Sequence, residues 1–79
     1  MRTLAQLAGM WCNDLDFRAW VAELSDQACA TAADAAAWVR AVCNVESRAE
    51  LNTDHDAAAR FNQLIRTPYM AHRERADTF

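Results

Sequence analysis

The sequence predicts an all-α fold: a compact bundle of four to five short helices forming a single domain over residues 1–79. Three observations lead there. Alanine, the residue of highest helix propensity, supplies much of a hydrophobic fraction of 53%. One Gly and one Pro in 79 residues argue against turn-rich sheet architectures. Large apolar residues recur at the spacing that lines one side of a helix. A chain of this length builds one core and buries only a modest share of its surface, so a partner or a second copy often completes it.

Thr3 is expected to cap a first helix in which Leu4, Leu7, Ala8 and Trp11 share a face, ending near Asn13. Asp14 caps the second, with Phe17, Trp20, Val21 and Leu24 inward and Asp16, Arg18 and Glu23 outward. Residues 25–30 carry no strong period and read as a link. Thr31, with Asp34 three residues on, resembles a capping box and opens a third helix that buries Ala35, Trp38, Val39 and Val42. Asn44 suits a left-handed closing residue, and Val45 supplies the apolar contact that often follows one.

Ser47 and Glu50 form a capping box for a short turn of helix with Leu51 pointing inward. Thr53 is expected to cap the next helix, placing Asp54 and Asp56 in its first turn where the helix dipole favours them. Its buried stripe reads Ala57, Ala58, Phe61, Leu64 and Ile65. Pro68 either restarts or kinks the helix, which continues from Tyr69 to Ala76 before residues 76–79 fray.

The chain carries a net charge of −3 that hides a gradient. Asp14, Asp16, Glu23, Asp26 and Asp34 against Arg18 make residues 13–34 strongly acidic. Glu46, Glu50, Asp54 and Asp56 outweigh Arg48 over residues 44–59. Arg60, Arg66, Arg73 and Arg75 against Glu74 reverse the sign in the last segment. No apolar run approaches the roughly 18 residues of a membrane span, and the N-terminus lacks a signal-peptide pattern. Three cysteines, an odd number, read as reduced core thiols, so a cytoplasmic protein with no membrane association is expected.

Two surfaces are candidate binding sites. The carboxylates of Asp14, Asp16, Glu23, Asp26, Glu46, Glu50, Asp54 and Asp56 can imitate a phosphate lattice and occupy a nucleic-acid-binding site on another protein, although such residues also serve as an ordinary solvated face. Arg60, Arg66, Arg73 and Arg75, with Tyr69 between them as a stacking group, are the alternative nucleic-acid contact. Arg60 and Arg66, six residues apart, share a face poorly.

No metal, cofactor or catalytic residue is expected. Cys12, Cys29, Cys43, His55 and His72 lack the close ligand pairs of structural zinc sites. A cysteine–histidine nucleophilic pair needs a cleft with oxyanion donors that so small a helical domain rarely forms. Asp54 and Asp56 are explained as helix-start residues without acid–base chemistry. A lone Gly9 inside the first helix leaves no glycine loop to cradle a nucleotide. The protein therefore reads as a non-enzyme.

The stretches Met10-Trp11-Cys12-Asn13-Asp14 with Phe17 and Trp20, Ala36 to Cys43 with Val45, and Ser47 to Leu51 with Ala57 to Phe61 and Leu64 resemble a group of short phage and prophage proteins over residues 10 to about 72. Asn44 stands where such proteins are expected to carry glycine. The resemblance implies an accessory role: inhibition of a host defence complex, as anti-CRISPR proteins inhibit CRISPR effectors, or assistance in phage recombination and replication. A structural helical adaptor that dimerises through exposed Trp or Met is the third class, and the protein is expected to be a monomer or homodimer.

Overall fold

The computed structural model describes the backbone of residues 2–77 and side chains through Arg75. Its helices are α1 (Leu4–Cys12), α2 (Leu15–Ser25), α3 (Ala32–Cys43), α4 (His55–Phe61) and α5 (Thr67–Asp77). A 3-10 turn (Arg48–Asn52) precedes α4, and a π turn (Asn62–Arg66) joins α4 to α5, so that residues 55–77 form one continuous rod. Four helical rods and the 3-10 turn thus make the all-α bundle that the periodicity predicts. The Cα radius of gyration of 12.0 Å is close to the roughly 11.6 Å typical of a globular chain of this length.

Each helix start that follows a break is satisfied by a side chain, which is why the breaks fall where they do. Thr3 and Gln6 exchange the two bonds of a capping box, as do Thr31 with Asp34 and Ser47 with Glu50. Asp14 accepts from the Asp16 amide at 2.8 Å and starts α2 after a break of two residues. Asp54, and not Thr53 as expected, caps α4, accepting from the amides of Asp56 and Ala57. A carboxylate serves the helix dipole better than a hydroxyl, and Thr53 instead closes the 3-10 turn.

Asn44 ends α3 in the left-handed conformation at φ 58°. The Val45 amide donates to the Arg40 carbonyl at 3.0 Å and the Asn44 amide to the Ala41 carbonyl, the paired bonds of a Schellman stop. Asp26 closes α2 in the same left-handed region.

The core gathers Trp11, Phe17, Trp20, Phe61 and Tyr69 with Val21, Val39, Leu51, Ile65, Cys12 and Cys43. Tyr69 stands at its centre, with ring centroids 5.0 Å from Trp11, 5.0 Å from Phe17 and 5.2 Å from Trp20. Such edge-on and tilted arrangements suit the aromatic quadrupole. Trp38 and Val42, expected in the core, are half-buried at its margin, and so is Cys29. Leu24 and Leu64, expected inward, are 57% and 51% exposed.

The π turn explains Leu64. Phe61, Ile65 and Tyr69 lie four residues apart, a spacing that drifts around a regular α-helix, yet all three are fully buried. Widening the helix between Asn62 and Arg66 offsets the drift, keeps the three in register against the core, and leaves Leu64 outside. Pro68 accounts for the widening, since its ring clashes with the carbonyl four residues back and donates no N–H. The Thr67 amide reaches the Asn62 carbonyl across the wide turn, and α5 runs on past Pro68. Ala76 and Asp77, expected to fray, continue α5, while residues 78 and 79 lie outside the described residues.

The Tyr69 hydroxyl is buried without a hydrogen-bond partner among the described residues. Leaving such a group unsatisfied costs about 1–3 kcal/mol. Tyr69→Phe is therefore expected to stabilise the fold by about 1 kcal/mol in urea unfolding at unchanged denaturant slope. A loss of stability would show that the hydroxyl has a partner in solution.

Candidate functional site

The eight acidic candidates come from two sets of elements. Asp14, Asp16, Glu23 and Asp26 belong to α2 and its ends, and α2 packs on α1 and α3. Glu46, Glu50, Asp54 and Asp56 belong to the 3-10 turn and the start of α4, which pack on each other, with the turn also on α1 and α4 on α3. Three of the eight satisfy backbone amides, and Asp26 closes α2 in the left-handed conformation. Asp14 and Asp54 are helix caps, and Glu50 accepts from the amides of Glu46 and Ser47 at 2.7 and 2.8 Å. Asp16, Glu23, Asp26, Glu46 and Asp56 are exposed and make no side-chain hydrogen bond or ion pair among the described residues. On α2 they are interleaved with Leu15, 74% exposed, and Leu24.

The arginines of the last rod are also unequal. Arg60 is half-buried, and its Nε donates to the Cys43 carbonyl at 2.7 Å. That oxygen is left free by the Schellman stop, so Arg60 ties α4 to the end of α3 and is not available to a phosphate. Arg66 donates to Asn62 Oδ1 at 3.5 Å, and Arg73 lies 5.8 Å from the Tyr69 ring centroid. Arg66, Arg73 and Arg75 are exposed along α5 and the turn before it.

Two further arginines, Arg40 of α3 and Arg48 of the 3-10 turn, are the residues that sequence reasoning passes over. Both are half-buried, and neither has an ion-pair partner among the described residues. They line an open groove of about 640 Å³ where α1, α3 and the 3-10 turn meet, together with Thr3, Gln6, Ser47 and Asn52. Arg48 lies over Gly9: a Cβ at Gly9 would sit 3.1 Å from its Nη1 and 3.6 Å from its Cζ. The Arg48 charge lies close enough to the Cys12 thiol to oppose the effect of burial on that group. A side chain at Gly9 would require the guanidinium to give by a few tenths of an ångström. A lone glycine in the middle of an otherwise good helix is the sequence signal for such a close approach.

Burial pushes the thiols of Cys12, Cys29 and Cys43 above their ordinary range, which keeps them protonated and poorly nucleophilic at neutral pH. Burial, followed by the neighbouring Asp14 carboxylate, likewise raises the Tyr69 phenol. Among the described residues no three His, Cys, Asp or Glu side chains gather as a metal site, and no helix is long and apolar enough to cross a membrane. No protein-family model, curated protein or solved structure matches this chain.

Proposed function

We propose that the chain is a phage-derived, non-enzymatic protein that binds a host protein complex stoichiometrically and blocks it, with a CRISPR effector as the most concrete target. One observation carries the reading: α2 turns both leucines and carboxylates to solvent. Leu24 extends the inward stripe of Phe17 and Trp20 one turn past the end of the core, with Glu23 and Asp26 beside it in sequence. Leu15 and Asp16 open the same helix. An exposed apolar anchor with charged residues near it, as Leu24 has, is the composition of a protein–protein interface. The negative rim suits a partner whose own surface is basic, as nucleic-acid-binding clefts are. The phage resemblance supplies the setting.

A mobility-shift assay with DNA and a purified CRISPR surveillance complex from each candidate host tests this. The protein is expected to abolish the complex–DNA shift near equimolar ratio without shifting DNA itself. Leu24→Arg, and the combined change Asp16→Asn, Glu23→Gln and Asp26→Asn, should each restore the shift while retaining helical circular dichroism. An undiminished shift in excess protein, or inhibition that both variants retain, sinks the reading. A salt-sensitive shift by the protein alone favours the second reading, a recombination or replication accessory, which the exposure of Arg66 at the end of the π turn and of Arg73 and Arg75 on α5 supports.

A further inference from the structure

We infer that the groove between α1, α3 and the 3-10 turn is a phosphate-binding site, with Arg40 and Arg48 as its charged ligands and Gln6 and Asn52 as neutral donors. The argument begins with unpaired charge. A guanidinium drawn partly out of water is costly unless an anion or several acceptors compensate it. Arg48 is half-buried against Gly9 and near the Cys12 thiol, with no carboxylate or carbonyl partner for its guanidinium among the described residues. Arg40, on the facing helix, has no side-chain hydrogen bond or ion pair there at all. Elsewhere among the described residues the half-buried Arg60 reaches the Cys43 carbonyl, and Arg18 reaches the Ala30 carbonyl through Nη1 while its Nε is buried without a partner.

Apart from the Glu46 carboxylate, the Gln6, Asn52 and Ser47 side chains of the groove each keep a donor to offer. Gln6 Oε1 accepts from the Thr3 amide at 3.0 Å, and Asn52 Oδ1 accepts from the Ala5 amide at 3.1 Å. These bonds assign the oxygens and leave both NH2 groups without an acceptor among the described residues. Ser47 Oγ accepts from the Ala49 amide and keeps its own proton to donate. Two guanidinium groups, two amide NH2 groups and a hydroxyl therefore line one concavity. A tetrahedral oxyanion with several acceptor oxygens fits that set better than a cation or an apolar ligand.

Glu46 is the opposing group. Its carboxylate lines the same groove but forms no ion pair with either arginine. Glu50, from the neighbouring turn, is occupied by the amides of Glu46 and Ser47. The site therefore discriminates by sign: removing Glu46 should strengthen anion binding while removing either arginine weakens it.

Nitrogen-15 NMR titration of the full chain with inorganic phosphate, against chloride at matched ionic strength, tests the inference. Saturable shifts are expected at the Arg48 Nε–H and at the Gln6 and Asn52 side-chain NH2 signals. Arg40→Gln and Arg48→Gln should each weaken binding by about tenfold, the scale of losing a charge-assisted pair, and Glu46→Gln should strengthen it by about twofold. Arg48→Lys, which preserves net charge but removes the planar two-pronged donor, should also weaken it and so guards against a charge variant that fails to fold. A second arm compares a 5′-mononucleotide with its nucleoside. Equal binding of phosphate and nucleotide, with the nucleoside silent, identifies free phosphate as sufficient, whereas tighter nucleotide binding identifies a terminal phosphomonoester as the source. Shifts that stay linear with concentration, or saturable shifts that survive Arg40→Gln and Arg48→Gln, overturn the assignment.

Discussion

Phe17→Ala is expected to remove about 4 kcal/mol of stability, the range found when a buried aromatic ring is truncated and its cavity only partly collapses. Phe17 is fully buried and touches four other rings: Trp11 at 5.7 Å, Trp20 at 5.7 Å, Trp38 at 6.3 Å and Tyr69 at 5.0 Å. Those rings come from α1, α2, α3 and α5, so the cavity would loosen four helices at once. A domain of 79 residues has a total stability of about 4–12 kcal/mol, which places this variant at the edge of folding. Urea unfolding followed by tryptophan fluorescence measures it directly. A loss below about 2 kcal/mol would mean that the surrounding rings repack into the space.

Arg60→Ala should cost about 2 kcal/mol, the scale of a charge-assisted hydrogen bond together with the carbonyl it leaves unpaired. The Cys43 carbonyl at the end of α3 has Arg60 Nε as its partner at 2.7 Å, and the bond joins residues 17 positions apart. Arg66→Ala, exposed and bonded only within its own helical turn, should change stability by less than about 0.5 kcal/mol. The contrast separates a structural arginine from surface ones by thermal melting alone. Equal costs would show that the Arg60 tie is not formed in solution. The same pair serves the functional question, since any nucleic-acid contact made through this rod has to use Arg66, Arg73 and Arg75.

The acidic residues divide in the same manner. Asp14, Glu50 and Asp54 satisfy backbone amides at helix and turn starts, so neutralising them changes folding before it changes binding. Asp16, Glu23 and Asp26 have no such work and are the positions at which a binding experiment can be read without ambiguity. The α2 face and the Arg40–Arg48 groove carry opposite charge and are built from different elements, apart from the shared support of α1 and α3. Each can therefore be altered without the other.

Local chemistry was legible in the sequence wherever a signal is short-ranged. Helix class, the capping pairs Thr31–Asp34 and Ser47–Glu50, and the left-handed Asn44 stop follow from neighbours within a few residues, because caps and propensities act over one turn. The core aromatics Trp11, Phe17, Trp20 and Phe61 followed from helical periodicity. Four outcomes required the tertiary structure: where the core ends, how Pro68 is accommodated, which arginines are held, and what Gly9 permits. Periodicity assigns a direction to Leu24 and Leu64 but not a neighbour to cover them. The core stops before Leu24, and a π turn rotates Leu64 outward. Arg60 and Cys43, or Arg48 and Gly9, are far apart in the chain, so nothing local distinguishes these arginines from the solvated ones. Composition and short-range spacing determined that this protein is helical and where its helices begin; only the packing of those helices decided which charges remain free to act, because burial and pairing depend on residues that sequence distance does not connect.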